Sequence, residues 1–306
     1  MNKKWSTLLV IVIILTFIGY FVYDVALKKE KAPASSVKYD SSQIGESWFV
    51  SKVFDPGQGK LKAVATTCIG DIILGGESFV SQYNADLQSL WTLNTEKPVT
   101  ALSVSGDTIF ASTFETILII SPKGKLISEW GPFEDSSIIA SVSANKSFVA
   151  FSDAQKKTVT LLDKKGIVKK IIGNSGEPFI IPSFYFEVEL TSDNQIFIAN
   201  TGKSRVEIRN TDGTITGTFG EPGTGPGEFC GCCNPAHFVI MPDGFITAEK
   251  GINRIKILNK EGRFVEFVSS VNKFVPPLPL DIASPDGKII YGANPADSKL
   301  YIFKRK

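Results

Sequence analysis

Beyond residue 60 the chain repeats a four-strand unit, and that repeat restricts what it can fold into more than any other feature. The clearest copy is SFYFEVELTSDNQIFIANTGKSRVEIRNTDGTITGTFG (183–220). It reads as strand, Asp193-Asn194 turn, strand, loop, strand, Asp212-Gly213 turn, strand, because short apolar or alternating runs are separated by residues that favour turns. A second copy (235–269) puts Asp243-Gly244 and Glu261-Gly262 at the equivalent turns. Fainter copies occupy 62–93, 98–131 and 137–173, with Trp91 and Trp130 at corresponding ends of outer strands. No window sustains a helical period. A four-stranded unit returning every ~40–50 residues cannot bury both of its faces alone, and arranging such units around an axis gives a β-propeller.

The last copy (277–306) supplies only three strands, whereas the run SWFVSKVF (47–54) is a strand without a repeat of its own. Letting it complete the last unit closes the ring and hides an open sheet edge. The expected fold is therefore all-β: a six-bladed β-propeller of four-stranded blades over 46–306, its last blade closed by the N-terminal strand.

Several stretches resemble the NHL-repeat family. Ala199-Asn200-Thr201-Gly202 followed by Arg205-Val206, and Ala248-Glu249-Lys250-Gly251 followed by Asn253-Arg254-Ile255, are similar to that family's segment between second and third strands. GPGEF (225–229) is similar to its lead into the next blade. The resemblance is good over 183–270 and implies a binding or scaffolding platform rather than a particular reaction.

Ahead of the repeats, Lys3 and Lys4 precede a stretch without charge from Trp5 to Tyr23, long enough as a helix to span a bilayer. No Ala-x-Ala-like cleavage site precedes the KKEK run (28–31). Residues 1–27 are expected to be a transmembrane signal anchor, 28–45 a flexible tether, and the propeller extracytoplasmic. The lysines after the stretch (28, 29, 31 and 38) outnumber those before it, so a strict positive-inside count gives the opposite orientation. With 33 basic and 31 acidic residues spread along the chain, no basic face for nucleic acid is visible.

The sharpest chemical signal is a cluster of thiols. Where NHL-like repeats pass from phenylalanine to proline within about three residues, CGCCN separates Phe229 from Pro235. This insertion brings in Cys230, Cys232 and Cys233 close to His237, the only histidine. Three thiols and an imidazole suit zinc, copper or iron. A structural disulfide and a dithiol-exchange site are the competing readings. Cys68 is expected to be a buried small residue on the opposite face.

Strand direction places Asn200, Glu249 and Asn294 on the cluster's face, as a surface for a protein or another ligand. Glu187 aligns with His237 and is expected to look into the central channel. Six-bladed hydrolases of the gluconolactonase type hold calcium there with Glu, Asn and Asp, which keeps an enzyme in view, while ordinary turn hydrogen bonding accounts for the same residues. The leading expectation is a membrane-anchored binding platform. The alternative is a metal- or thiol-dependent redox or hydrolytic protein.

Overall fold

The computed structural model describes residues 12–17, 19 and 47–306, apart from 135, 175, 232, 271, 272 and 276. The chain divides into two compact units, Met1–Tyr39 and Asp40–Lys306. Residues 12–17 and 19 are helical. Most of the expected anchor and all of the expected tether lie outside the described residues. Among those described, no helix is long and apolar enough to cross a membrane.

The second unit is a six-bladed propeller. Its described strands form six antiparallel sheets of four. The innermost strands are β2 (Leu61–Thr66), β6 (Ala101–Ser105), β10 (Ile139–Ala144), β14 (Val188–Leu190), β18 (His237–Met241) and β22 (Asp281–Ala283). Blades one to five each run outward through four consecutive strands. In the sixth, the order from the axis is β22, β23 (Ile289–Asn294), β24 (Lys299–Arg305) and β1 (Trp48–Phe54). The N-terminal strand thus closes the ring as the sequence implies, with Trp48 opposite Arg305 and Phe54 opposite Leu300. Trp48 is buried between blades five and six. A buried ring of this size contributes on the order of 5 kcal/mol at about 25 cal/mol per Å², as an upper bound.

The middle strands are apolar on consecutive positions because both of their faces are covered. In β3 (Ile72–Gly76), Ile72 and Leu74 pack toward blade six while Ile73 packs toward blade two. A period of two therefore feeds two separate cores. Six apolar clusters result, one at each blade-to-blade interface.

The outer turns explain the repeat's glycines. Gly124 (φ +74) and Gly166 (φ +80) lie against Trp91 and Trp130 of the preceding blade, where an added Cβ would stand 2.4 and 2.7 Å from the indole. Glycine meets both the left-handed backbone and the close approach. Cys68 departs from expectation: it is exposed, in the turn from β2 to β3, because the inner strand ends at Thr66.

Candidate functional site

The axial channel opens onto a ring of six side chains, one from each blade. Leu61, Val99, Ile139, Phe186, Ala236 and Leu280 are all buried between blades. Alternation turns the next residue of each blade toward the axis: Lys62, Thr100, Ala140, Glu187, His237 and Asp281, all of which line the channel or the funnel above it. Blades one to three thus give one lysine and two small residues. Blades four to six give an acid, an imidazole and an acid.

The acid–imidazole–acid arc is tightly gathered. His237 Nδ1 lies 2.8 Å from Glu187 Oε2 and 3.4 Å from Asp281 Oδ1. The Glu187, His237 and Asp281 ligand atoms all fall within 4.8 Å of one another. Each carboxylate is fixed from behind: Ser141 Oγ donates to Glu187 Oε1, and the Val64 N–H from blade one donates to Asp281 Oδ2 at 2.8 Å. The Tyr185 ring meets the imidazole edge-on at 5.6 Å. One layer deeper, Ser143 Oγ donates to Glu189 Oε2 at 2.7 Å.

The site crowds negative charge. Burial pushes Glu189 up to about 8, and the charges of Glu187 and Asp281 add to the effect. Burial also drives Asp281 up to about 6, with His237 opposing and Glu187 reinforcing the rise. Burial works against the His237 imidazolium, but the Glu187 hydrogen bond and the charges of Asp281 and Glu187 outweigh it, so its pKa is raised. Glu189, Asp281 and His237 thus hold their protons more tightly than they would in water.

His237 is drawn to these carboxylates. Among the described residues, the grouping with metal-ligand spacing contains neither Cys230 nor Cys233, and Cys232 lies outside the described residues. Burial raises the Cys230 thiol, and the Glu249 charge reinforces this. The loop is braced by Asn234, whose side-chain amide donates to the Cys230 carbonyl at 2.5 Å and the Lys250 carbonyl at 2.9 Å.

Three of the residues expected on the binding face are buried instead: Asn200, Glu249 and Asn294 are at most 4% exposed. The cause is internal pairing. Asn200 donates to Glu207 Oε1 at 2.8 Å, and Asn294 Oδ1 accepts from the Ala296 N–H at 3.1 Å. Glu249 Oε1 is 2.7 Å from Arg254 Nε and 3.0 Å from Lys256 Nζ. Arg254 in turn donates to the carbonyls of Thr224 and Gly225, and Lys256 to that of Glu228, which pins the GPGEF loop. Glu187 alone of the four reaches the channel.

Asp281 has no place in the sequence-derived set. Its signal was its position: it follows a buried residue at the start of an inner strand, as Glu187 and His237 do.

No family model and no curated protein matches the chain. Solved structures do. A streptogramin B lyase superposes with a TM-score of 0.63 at 11% identity, over 85% of this chain and 98% of that one. The virginiamycin B lyase of Staphylococcus aureus gives 0.60 at 14% identity, over 85% and 100%. The WD40 β-propeller domain of Doa1 gives 0.58 at 13% identity, over 82% and 80%. At these identities the likeness is one of fold, and the chain is similar to enzymes and to a WD40 domain alike.

Proposed function

We propose that this chain is a ligand-binding propeller whose binding centre is a divalent cation held at the channel mouth by Glu187, His237 and Asp281. The observation that carries this reading is the convergence of three donors from three blades. An ion with bonds of about 2.1 Å separates neighbouring ligand atoms by roughly 3.0–3.4 Å, from octahedral to tetrahedral geometry. The observed separations of 2.8 and 3.4 Å bracket that range. One imidazole and two carboxylates suit zinc, manganese or iron(II). Burial raises Asp281 and Glu189 and the neighbouring carboxylate charges add to it; a cation would offset that added repulsion.

The platform reading suits the same site, since ligands of this fold can approach along the axis while the blades stay rigid. The stretch without charge over 5–23 and the NHL-like signature over 183–270 support a membrane-anchored, extracytoplasmic propeller of that type. Protease added to intact cells should then digest the propeller, and protection until lysis would reverse the orientation.

The deciding experiment is elemental analysis of the purified full chain beside His237→Ala, Asp281→Asn and Cys230→Ser variants. The wild type and Cys230→Ser should carry about one equivalent of metal, and the other two should lose most of it. Metal retained in His237→Ala but lost in Cys230→Ser would move the centre to the thiol loop. No metal in any of them, even after incubation with zinc, would remove the reading.

A further inference from the structure

Above the acid–imidazole arc the channel widens into an apolar funnel of about 390 Å³, with Glu187 and His237 at its base. Phe114, Phe184, Tyr185, Leu278 and Pro279 form its wall. Phe184 is 66% exposed and Phe114 45%, an unusual placement for phenylalanine in a chain whose other aromatic rings largely fill the blade interfaces. The volume suits a small organic molecule and is too small for a folded partner.

Two lysines line the same funnel. Lys62 is the extra residue of a bulge in β2, between the pairs Leu61 with Gly76 and Ala63 with Gly75, so it is turned out of the ladder toward the axis. Lys250 lies in the loop after β19 (Gly244–Ala248). Their Nζ atoms lie 6.0 Å from the Phe114 ring centre and 5.2 Å from that of Tyr185. Among the described residues neither lysine has a carboxylate partner, whereas Lys60, Lys97, Lys156, Lys169 and Lys203 are ion-paired. A lysine held over an aromatic face beside an apolar wall offers a positive charge next to a surface that takes a ring.

We infer that the funnel binds a small amphipathic organic anion. Its aromatic or branched apolar body lies against Phe114, Phe184 and Tyr185, and its carboxylate pairs with Lys62 and Lys250. The inference rests on the proposed cation centre only for what lies beneath the ligand; the wall and the lysines stand apart from it.

The test uses two probes of one shape, indole-3-acetate and its neutral amide, indole-3-acetamide, titrated calorimetrically into the full chain in lipid nanodiscs with empty nanodiscs as the blank. The acid should bind about fivefold more tightly than the amide, the worth of one well-placed solvent-accessible charge pair. In the Lys62→Gln/Lys250→Gln double variant that preference should vanish while amide affinity stays the same, which also reports an intact funnel. If the double variant loses both probes, Lys62→Arg and Lys250→Arg decide: a kept preference supports the inference and a lost one overturns it. Equal affinities in the wild type, or binding of neither probe, would overturn it as well. A preference that survives the lysine changes but disappears in Glu187→Gln would put the carboxylate on the cation and overturn the role of the lysines. Metal-free protein that still shows the lysine-dependent preference would remove the cation centre and leave this inference standing.

Discussion

The propeller holds two acidic clusters of opposite character. In blade five, Glu249 is completely buried between Arg254 and Lys256, and both cations also bond backbone carbonyls of the neighbouring loop. Two cations there face one carboxylate through its Oε1, while Oε2 is buried without a hydrogen-bond partner among the described residues. At the channel mouth, Glu187 and Asp281 share one imidazole, lie partly open to a cavity, and have Glu189 beneath them. Negative charge there exceeds what the protein neutralises. A sealed and balanced cluster fixes the chain, while an open and unbalanced one is completed by something from outside.

The sharpest way to break this comparison is to unbalance the sealed cluster. Arg254→Met leaves Glu249 with less positive charge and frees the loop carbonyls, and should lower the unfolding free energy by about 3–5 kcal/mol in urea titrations. Glu187→Gln, which removes charge from the open cluster, should change the stability of metal-free protein by less than about 1 kcal/mol. Similar losses in both variants would mean that the clusters do the same job.

A smaller effect separates them through ligand binding. Zinc at a hundredfold excess over its dissociation constant should stabilise the wild type by about 2.7 kcal/mol, a rise of roughly 5–10 °C in melting temperature. Glu187→Gln should show almost none of this rise, and Arg254→Met should keep it on a lower baseline. Melting curves with and without chelator read out all three.

The last way to separate them is a pH slope from Glu189. Its carboxyl titrates near 4.5 in the unfolded chain and at about 8 when folded, so between these values the folded state keeps a proton that the unfolded state has lost. The stability it contributes is fully present below about 4.5 and is lost as pH rises through about 8. In metal-free protein, Glu189→Gln should therefore flatten the decline and raise the melting temperature at pH 8 by a few degrees. An unchanged slope would show that the channel does not hold that proton.

The architecture could be read from the chain because propeller blades follow a local code: turn dipeptides, an alternating period and a recurring glycine against the previous blade's indole. Ring closure by residues 47–54 followed from a missing strand at one end and a spare one at the other. The site was only half legible. Glu187 and His237 could be aligned through their repeats, but the cysteines drew His237 into a set other than the described grouping with Glu187 and Asp281, and Asp281 stood unmarked in a proline-rich segment. The misplaced face residues had a readable clue. Arg254 and Lys256 follow Glu249 at five and seven residues, and the antiparallel return, which pairs Ala248 with Ile255, brings them back beside it. Which of two acids meets cations depends on such returns, and no local pattern displays them.

The closing strand also sets an order of events during biogenesis. Ser51 in β1 bonds the carbonyl of Ile302, 251 positions away. β1 leaves the ribosome first and stays without its partner until β24 has followed it through the same exit. Until then the chain is an open horseshoe with two raw edges, and the channel mouth cannot take its final shape until the ends meet. Any chaperone that serves this protein must shield those edges for the whole time of its synthesis.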